Sequence, residues 1–195
     1  MYLYGASGHA KVIMDILQSQ NIQIKGLFDD NEAITELLDF PVFHSITKDV
    51  EVIVSIGDNK TRKKIIEKLP NVYFKTAIHS SAVVSDYATI DVGTVVMQGA
   101  IIQSCATIGK HSIINTGASV DHDCSIGDFV HISPHCTLCG NVMVGEGSWI
   151  GAGTTIIPGV KIGKWCVIGA GSVVAKDIPD FSLAVGNRCR VIKTL

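Results

Sequence analysis

A six-residue period runs through the second half of this sequence and limits its possible folds more than any other feature. Every sixth residue from Ile78 to Val174 is Ile, Val or Leu. The fourth residue after each of them, as far as Ser172, is small or β-branched. An α-helix repeats every 3.6 residues and a flat strand every two residues, so neither produces this spacing. The period predicts short strands joined by tight corners.

The same spacing sets the size of the predicted coil. One inward residue in six, with a small residue near each bend, fits a triangular coil of about 18 residues. Coils that stack like parallel strands, about 4.8 Å apart, would give roughly five and a half coils and a prism about 26 Å tall. Charged residues make up only 17% of the chain, against a usual share of about 25%. We therefore expect other copies of the chain to cover some of the surface.

Residues 1–77 follow different periods. Short apolar runs typical of strands occur at Tyr2–Tyr4, Gln23–Phe28, Glu51–Ile56 and Val72–Ala77. Helical spacing predicts helices around Val12–Leu17 and Ile65–Leu69, with a further short helix at Asn31–Leu38. Strands and helices that alternate predict a small parallel α/β sheet. We therefore expect an α/β domain at 1–77 and an all-β coil domain at 78–195.

Composition excludes several classes of partner. A net charge of −2 gives no electrostatic basis for binding nucleic acid or an anionic membrane. No run approaches the roughly 20 apolar residues of a membrane helix. The N-terminus lacks the basic start and cleavage site of an export signal, which favours a cytoplasmic protein. The six cysteines are dispersed, and Cys136-x-x-Cys139 has no matching second pair, so we expect reduced cysteines and no metal.

Polar groups follow three of the predicted strands. Gly5-Ala6-Ser7-Gly8-His9 opens a helix, where free backbone N–H groups favour phosphate, although a tight structural turn is the alternative. Lys11 replaces the third glycine of a dinucleotide fingerprint, which argues against NAD. Asp29-Asp30 and Gly57-Asp58-Asn59 end two other strands, and such ends gather at one crevice. The basic cluster is interpreted as a solvated helix face, with a phosphate contact as the alternative, and consists of Lys60, Arg62, Lys63, Lys64 and Lys68.

Several motifs carry a resemblance to known enzymes. The hexads Ile126-Gly127-Asp128-Phe129-Val130-His131 and Ile162-Gly163-Lys164-Trp165-Cys166-Val167 resemble those of the left-handed β-helix acyltransferases. The further motifs, in chain order, are Tyr4-Gly5-Ala6-Ser7-Gly8-His9, Phe28-Asp29-Asp30, Ser55-Ile56-Gly57-Asp58-Asn59 and Asp121-His122-Asp123-Cys124. Together they resemble the PglD- and NeuD-like sugar-nucleotide acetyltransferases. The resemblance implies a Rossmann-like first domain, a left-handed parallel β-helix, a homotrimer and acetyl-CoA as co-substrate.

The resemblance also implies a catalytic base. His122 matches the family's histidine and Asp123 the acidic residue after it, with direct attack on the thioester. A carboxylate partner raises the basicity of an imidazole, and general-base help is worth about 10²–10⁴-fold in rate. Neighbours on a flat strand face opposite sides, so Asp123 reaches His122 only if the chain turns there. Asp121, or a carboxylate of a neighbouring subunit, is the alternative partner.

Binding residues follow by the same resemblance. His131, Ala152 and Ala170 match acetyl-CoA contacts, and trimer packing is expected to bring His131 to the cleft of His122. The positions that match the UDP-sugar crevice are Ser7, Gly8, His9, Asp29, Asp30 and Gly57. A carboxylate pair suits uracil or ribose better than phosphate, which it would repel. Asn115 is a candidate for orienting the amine, and Arg188 and Arg190 either meet CoA phosphates or close the prism.

We therefore predict an acetyl-CoA-dependent N-acetyltransferase of a UDP-linked amino-dideoxy sugar in bacterial surface-glycan biosynthesis. O-acetylation of a sialic-acid-type sugar is a close alternative, because the same base could deprotonate a hydroxyl. A metal hydratase resembling γ-class carbonic anhydrase would need His122, His131 and His135 on one zinc ion, and their spacing does not match that family. A non-catalytic trimeric scaffold is the third alternative.

Overall fold

The computed structural model describes residues 1–69 and 71–195. The elements of the first region are β1 (Tyr2–Tyr4), α1 (Gly8–Ser19), β2 (Gly26–Phe28), β3 (Glu36–Leu37), β4 (Phe40–Phe43), β5 (Glu51–Val54), α2 (Asn59–Lys68) and β6 (Tyr73–Phe74). Their sheet has the order β3-β4-β2-β1-β5-β6, and its pairs are parallel except for β3 with β4. The predicted α/β sheet is confirmed. Because β1 lies between β2 and β5, the strand order reverses there, and a crevice opens at the carboxyl ends of these strands.

The short helix predicted at Asn31–Leu38 is wrong. This segment enters a hairpin in which Leu37 pairs with Phe40 and Glu36 with Pro41. Leu38 and Asp39 form its two-residue turn with φ of 48° and 64°, and a pair of left-handed residues matches the twist of the flanking strands. Ile34 and Leu37 pack against the core of the first region, so apolar residues at helical spacing here serve a hairpin.

The second region is a coil of short strands. In chain order they are β7 (Ala77–Ile78), β8 (Val83–Val84), β9 (Thr89–Ile90), β10 (Val95–Val96), β11 (Ile101–Ile102), β12 (Thr107–Ile108), β13 (Ile113–Ile114), β14 (Ser119–Val120), β15 (Ser125–Ile126), β16 (His131–Ile132), β17 (Thr137–Leu138), β18 (Met143–Val144), β19 (Trp149–Ile150), β20 (Thr155–Ile156), β21 (Lys161–Ile162), β22 (Val167–Ile168), β23 (Val173–Val174), β24 (Ser182–Val185) and β25 (Arg190–Thr194). β24 and β25 form an antiparallel hairpin at the end of the coil.

The described strands of the coil form three faces. The first face holds β7, β10, β13, β16, β19, β22, β24 and β25, the second holds β8, β11, β14, β17, β20 and β23, and the third holds β9, β12, β15, β18 and β21. Pairing is parallel with a step of 18 residues, as in Val96↔Ile114 and Ile114↔Ile132. The period-six residues from Val96 to Val174 are buried, and Ile78, Val84 and Ile90 in the first coil are partly buried. The parallel β-helix is confirmed, and its left hand stays a prediction from the resemblance.

The corners between the faces position the functional residues. We call the turn from the first to the second face the first corner, that from the second to the third face the second corner, and that from the third back to the first face the third corner. Corner hydrogen bonds join successive coils, such as Asn141 N–H to His122 O at 2.9 Å. Residues 18 apart therefore lie in one column along the axis.

Arg62 joins the two regions, contrary to the prediction of a solvated basic helix face. Its side chain is 1% exposed. The guanidinium donates to the carbonyl oxygens of Ile56 and Gly57 in the first region, at 2.9 and 3.0 Å. It also donates to those of His111 and Phe129 at the third corner, at 2.9 and 3.0 Å. A charge pattern along α2 could not reveal this burial, because the acceptors at the third corner lie 49 and 67 residues away.

None of the helices in the described part of the chain has the length and apolar character needed to cross a bilayer.

Candidate active site

His122 and Asp123 lie in the second corner, between β14 and β15. Asp123 has φ 58°, a left-handed turn conformation that aspartate tolerates better than most residues. The turn brings its Oδ2 to 2.8 Å from His122 Nδ1. Asp121 Oδ1 instead accepts the backbone N–H of His122 at 2.7 Å. Within this chain Asp123 is therefore the partner of the imidazole, and Asp121 holds the turn.

The environment of His122 suits a proton acceptor. The hydrogen bond to Asp123, followed by the negative charge of Asp121, raises the pKa of His122 above its usual value. A proton on Nδ1 that is donated to Asp123 fixes the tautomer and leaves the Nε2 lone pair free. The side chain is 59% exposed, so a bound reactant can reach it.

His131, Ala152 and Ala170 line one groove of about 450 Å³ on the first face and first corner. His131 Nε2 lies 3.0 Å from Asn115 Nδ2, and its ring stacks on Trp149 with centroids 5.7 Å apart. The 18-residue step places Ala152 and Ala170 in one column, where small side chains leave the backbone accessible. The structure thus brings the three predicted cofactor residues together. The sequence motifs do not indicate Trp149, although it follows His131 by 18 residues and so shares its column.

The crevice of the first region opens beside this groove. The ring centroids of His9 and His131 are 6.5 Å apart. Burial, followed by the nearby positive charge of Arg62, lowers the pKa of His9 to about 4 and that of His131 to about 3. Both rings are therefore neutral at neutral pH. Within the described residues, the buried His9 Nε2 and His131 Nδ1 have no hydrogen-bond partner.

The other predicted substrate residues line the same strand ends. Ser7 is the N-cap residue of α1, and its side chain makes no capping hydrogen bond. At Gly8 and Gly57, even an added Cβ would meet no atom within 4 Å, so the backbone is open to a ligand. Asp29 accepts the N–H groups of two neighbouring loop residues, at 2.7 and 2.9 Å. Asp30 accepts the hydroxyl of Tyr4 through Oδ1, which leaves Oδ2 for a ligand.

Within one chain, His122 lies apart from His131 and His135. His122 is on the second corner, whereas His131 begins β16 on the first face and His135 lies on the first corner. Among the described residues no three His, Cys, Asp or Glu side chains converge as a metal site would require.

Arg188 and Arg190 line a cavity of about 390 Å³ with Lys176 near the end of the coil.

Buried histidines predict that the protein loses stability in mild acid. Burial, together with Arg62, lowers the pKa of His111 to about 4, as it does for His9. Between pH 6.5 and 4 the unfolded chain therefore binds more protons than the native state, so stability falls as pH falls. We expect each of these two histidines to cost about 3 kcal/mol of unfolding free energy by pH 4. Urea unfolding at a series of pH values measures this slope.

A matched pair of variants tests whether His111 contributes to the loss of stability in acid. His111→Phe keeps a ring stacked on Phe129, whose centroid lies 5.5 Å away, but removes the titrating group. We expect its stability to fall less steeply with acid. His44→Phe, at an exposed position, should keep the original slope. Equal slopes in all three proteins would contradict the assignment of acid sensitivity to His111.

Comparison with known proteins identifies the family. The family described as PglD N-terminal domain matches residues 1–69, and the one described as bacterial transferase hexapeptide (six repeats) matches residues 141–176. UDP-N-acetylbacillosamine N-acetyltransferase of Bacillus subtilis is 39% identical over 113 residues, covering 49% of this chain and 50% of that protein. The chain thus spans half of this curated relative, and 21% of another curated protein that it matches.

Solved structures match over nearly the whole chain. A variant of perosamine N-acetyltransferase from Caulobacter crescentus, in complex with CoA and GDP-perosamine, is 35% identical, with a TM-score of 0.92 over 98% of this chain and 96% of that one. The acetyltransferase domain of PglB from Neisseria gonorrhoeae, in complex with acetyl coenzyme A, is 32% identical, with a TM-score of 0.90 over 98% of both chains. This chain therefore belongs to the PglD-like family of hexapeptide-repeat sugar acetyltransferases.

Proposed function

We propose that this protein transfers the acetyl group of acetyl-CoA to the amine of a nucleotide-linked amino-dideoxy sugar, with His122 as general base. One observation carries the proposal: an exposed imidazole is held by a carboxylate at 2.8 Å with its second nitrogen free. Relatives that match nearly the whole chain bind CoA with GDP-perosamine, or acetyl-CoA. UDP is the nucleotide that the family resemblance of the sequence implies.

The chemical step is a direct transfer. The sugar amine attacks the thioester carbonyl, a C–N bond forms, and the C–S bond breaks to release CoA as a thiolate. His122 Nε2 accepts the proton that the amine loses, and Asp123 stabilises the resulting imidazolium. The protonated base, or water, then returns a proton to the thiolate.

Ligand placement follows from charge and burial. Ser7, Gly8, His9 and Gly57 would contact the nucleotide-sugar, with the N-terminus of α1 favouring its diphosphate. Asp29 and Asp30 would face the base or ribose, because carboxylates repel phosphate. Acetyl-CoA would lie along His131, Ala152 and Ala170. Residues 1–77 would thus hold the acceptor, and residues 78–195 the donor and the base.

A second copy of the chain completes this site. His122 lies at the second corner and the groove of His131 lies at the first face and first corner, with the second face between the two corners. Packing of neighbouring subunits in a homotrimer would bring the base of one opposite the groove of the next. Sedimentation equilibrium should therefore give the mass of a trimer. A monomer that remains fully active would contradict this part of the proposal.

Activity with defined acceptors tests the function. We expect acetyl-CoA and a UDP- or GDP-linked amino-dideoxy sugar to give an N-acetylated product by mass spectrometry, with one CoA released per product. The matched hydroxy sugars are the control and should remain unmodified. Acetylation of the hydroxy sugars alone would establish O-acetyl transfer instead, and no transfer to either class would overturn the proposal.

A further inference from the structure

We propose that Gly140 is a positioning residue for His122, because its missing side chain leaves the space in which the imidazole lies against Asp123. This inference rests on the proposed function, since it concerns the base of that reaction. It assigns a role to a residue that contacts the base.

Gly140 occupies the second corner one coil beyond His122. The corner ladder joins them, because Asn141 N–H donates to His122 O at 2.9 Å and Gly159 N–H donates to Gly140 O at 3.0 Å. The same corner position holds larger residues in other coils, namely Asp86, Ser104, Pro158 and Lys176. The corner itself therefore accepts a side chain.

The backbone of Gly140 does not call for glycine either. The left-handed residue of this corner is its neighbour Asn141, with φ 61°, and Gly140 itself is outside the positive-φ region. An L-residue could adopt the same backbone without strain. Something other than main-chain geometry must explain the glycine.

The imidazole of His122 supplies that explanation. A Cβ built on Gly140 would lie 2.6 Å from both Cε1 and Nε2 of His122, and 3.3 Å from Cδ2. Separations under 3.0 Å are essentially never tolerated, so the ring would have to move. All three of these nearest atoms belong to the His122 ring, which is exposed and free to rotate away. Alanine at 140 would thus displace the base and leave the coil intact.

Displacement of the ring has a chemical consequence. Rotation away from residue 140 breaks the 2.8 Å bond to Asp123, which holds the tautomer and raises the pKa of His122. It also moves Nε2, the atom that takes the proton, from its place beside the corner. A misplacement of about 1 Å can cost roughly 10²-fold in rate.

Gly140→Ala tests the inference by two independent readouts. We expect kcat to fall by roughly 10²-fold, with KM for acetyl-CoA near that of the wild type. NMR titration of the His122 imidazole should show a lower pKa than in the wild type, because the Asp123 bond is lost. Asp86→Ala, at the same corner position two coils before His122, is the matched control and should change neither quantity.

Stability measurements separate a moved ring from a damaged corner. In a His122→Ala background the contact is absent, so adding Gly140→Ala should leave the thermal midpoint unchanged. A large drop in that background would overturn the inference, as would wild-type kcat and an unchanged His122 pKa in the single variant. If the wild-type protein transfers no acetyl group, the proposed function fails, and the NMR titration still decides whether Gly140 seats the imidazole.

Discussion

His122→Ala is expected to lower kcat by about 10²–10⁴-fold, the usual worth of a general base. The amine proton would then have to leave for water, which has no fixed place beside the attacking nitrogen. The affinity for CoA should stay close to that of the wild type, because the groove proposed to hold CoA is lined by residues other than His122. Steady-state kinetics and calorimetry with CoA measure the two effects.

Two control variants test whether the loss of kcat is specific to His122. His79→Ala removes a histidine from the first corner and should leave kcat unchanged. Asp123→Asn keeps the shape but removes the charge that helps to raise the pKa of His122. The base must be neutral to act, so the acid limb of the kcat/KM profile should shift to lower pH in this variant. Near-normal turnover in His122→Ala would remove the histidine from the mechanism.

Arg62→Met is expected to lower the free energy of unfolding by about 3–5 kcal/mol. Methionine replaces the apolar length of the side chain but leaves the carbonyl oxygens of Ile56, Gly57, His111 and Phe129 without this donor. An unpaired buried carbonyl costs about 1–3 kcal/mol, and loss of the buried charge offsets part of that sum. Urea unfolding at neutral pH gives the value.

Lys64→Met provides the comparison on the same helix. Lys64 is exposed, so its substitution should change stability by no more than about 0.5 kcal/mol. Equal small effects in the two variants would mean that the network around Arg62 contributes little to stability. A loss confined to Arg62→Met would show that this guanidinium holds the two regions together.

The coil could be predicted because each of its strands and corners is specified by a short local pattern, and this pattern repeats along the sequence. Ile114, Ile132 and Ile150 are all buried, and each is one inward position of the same six-residue period. The first region lacked this redundancy. At Asn31–Leu38, helical spacing competed with a turn whose residues adopt φ of 48° and 64°, and pairing with the neighbouring strand decided the outcome.

The site could be predicted where two interacting residues belong to the same short motif. Asp123 follows His122 directly, so only the turn between them had to be supplied by the fold. Arg62 gave no comparable indication, because its carbonyl acceptors depend on how two regions pack. Gly140 could have been found by adding the 18-residue step to His122, but its steric role requires the direction in which the imidazole points.

The coils of this fold are spaced regularly along its axis. Strand pairing advances by one spacing, about 4.8 Å, for every 18 residues, whatever the side chains. A whole coil inserted between Ala152 and Ala170 would carry Ala170 one spacing farther from His131 and preserve the pairing above and below. The reach of the groove can thus change in discrete steps, by duplication of coils, while the corner that holds His122 stays as it is.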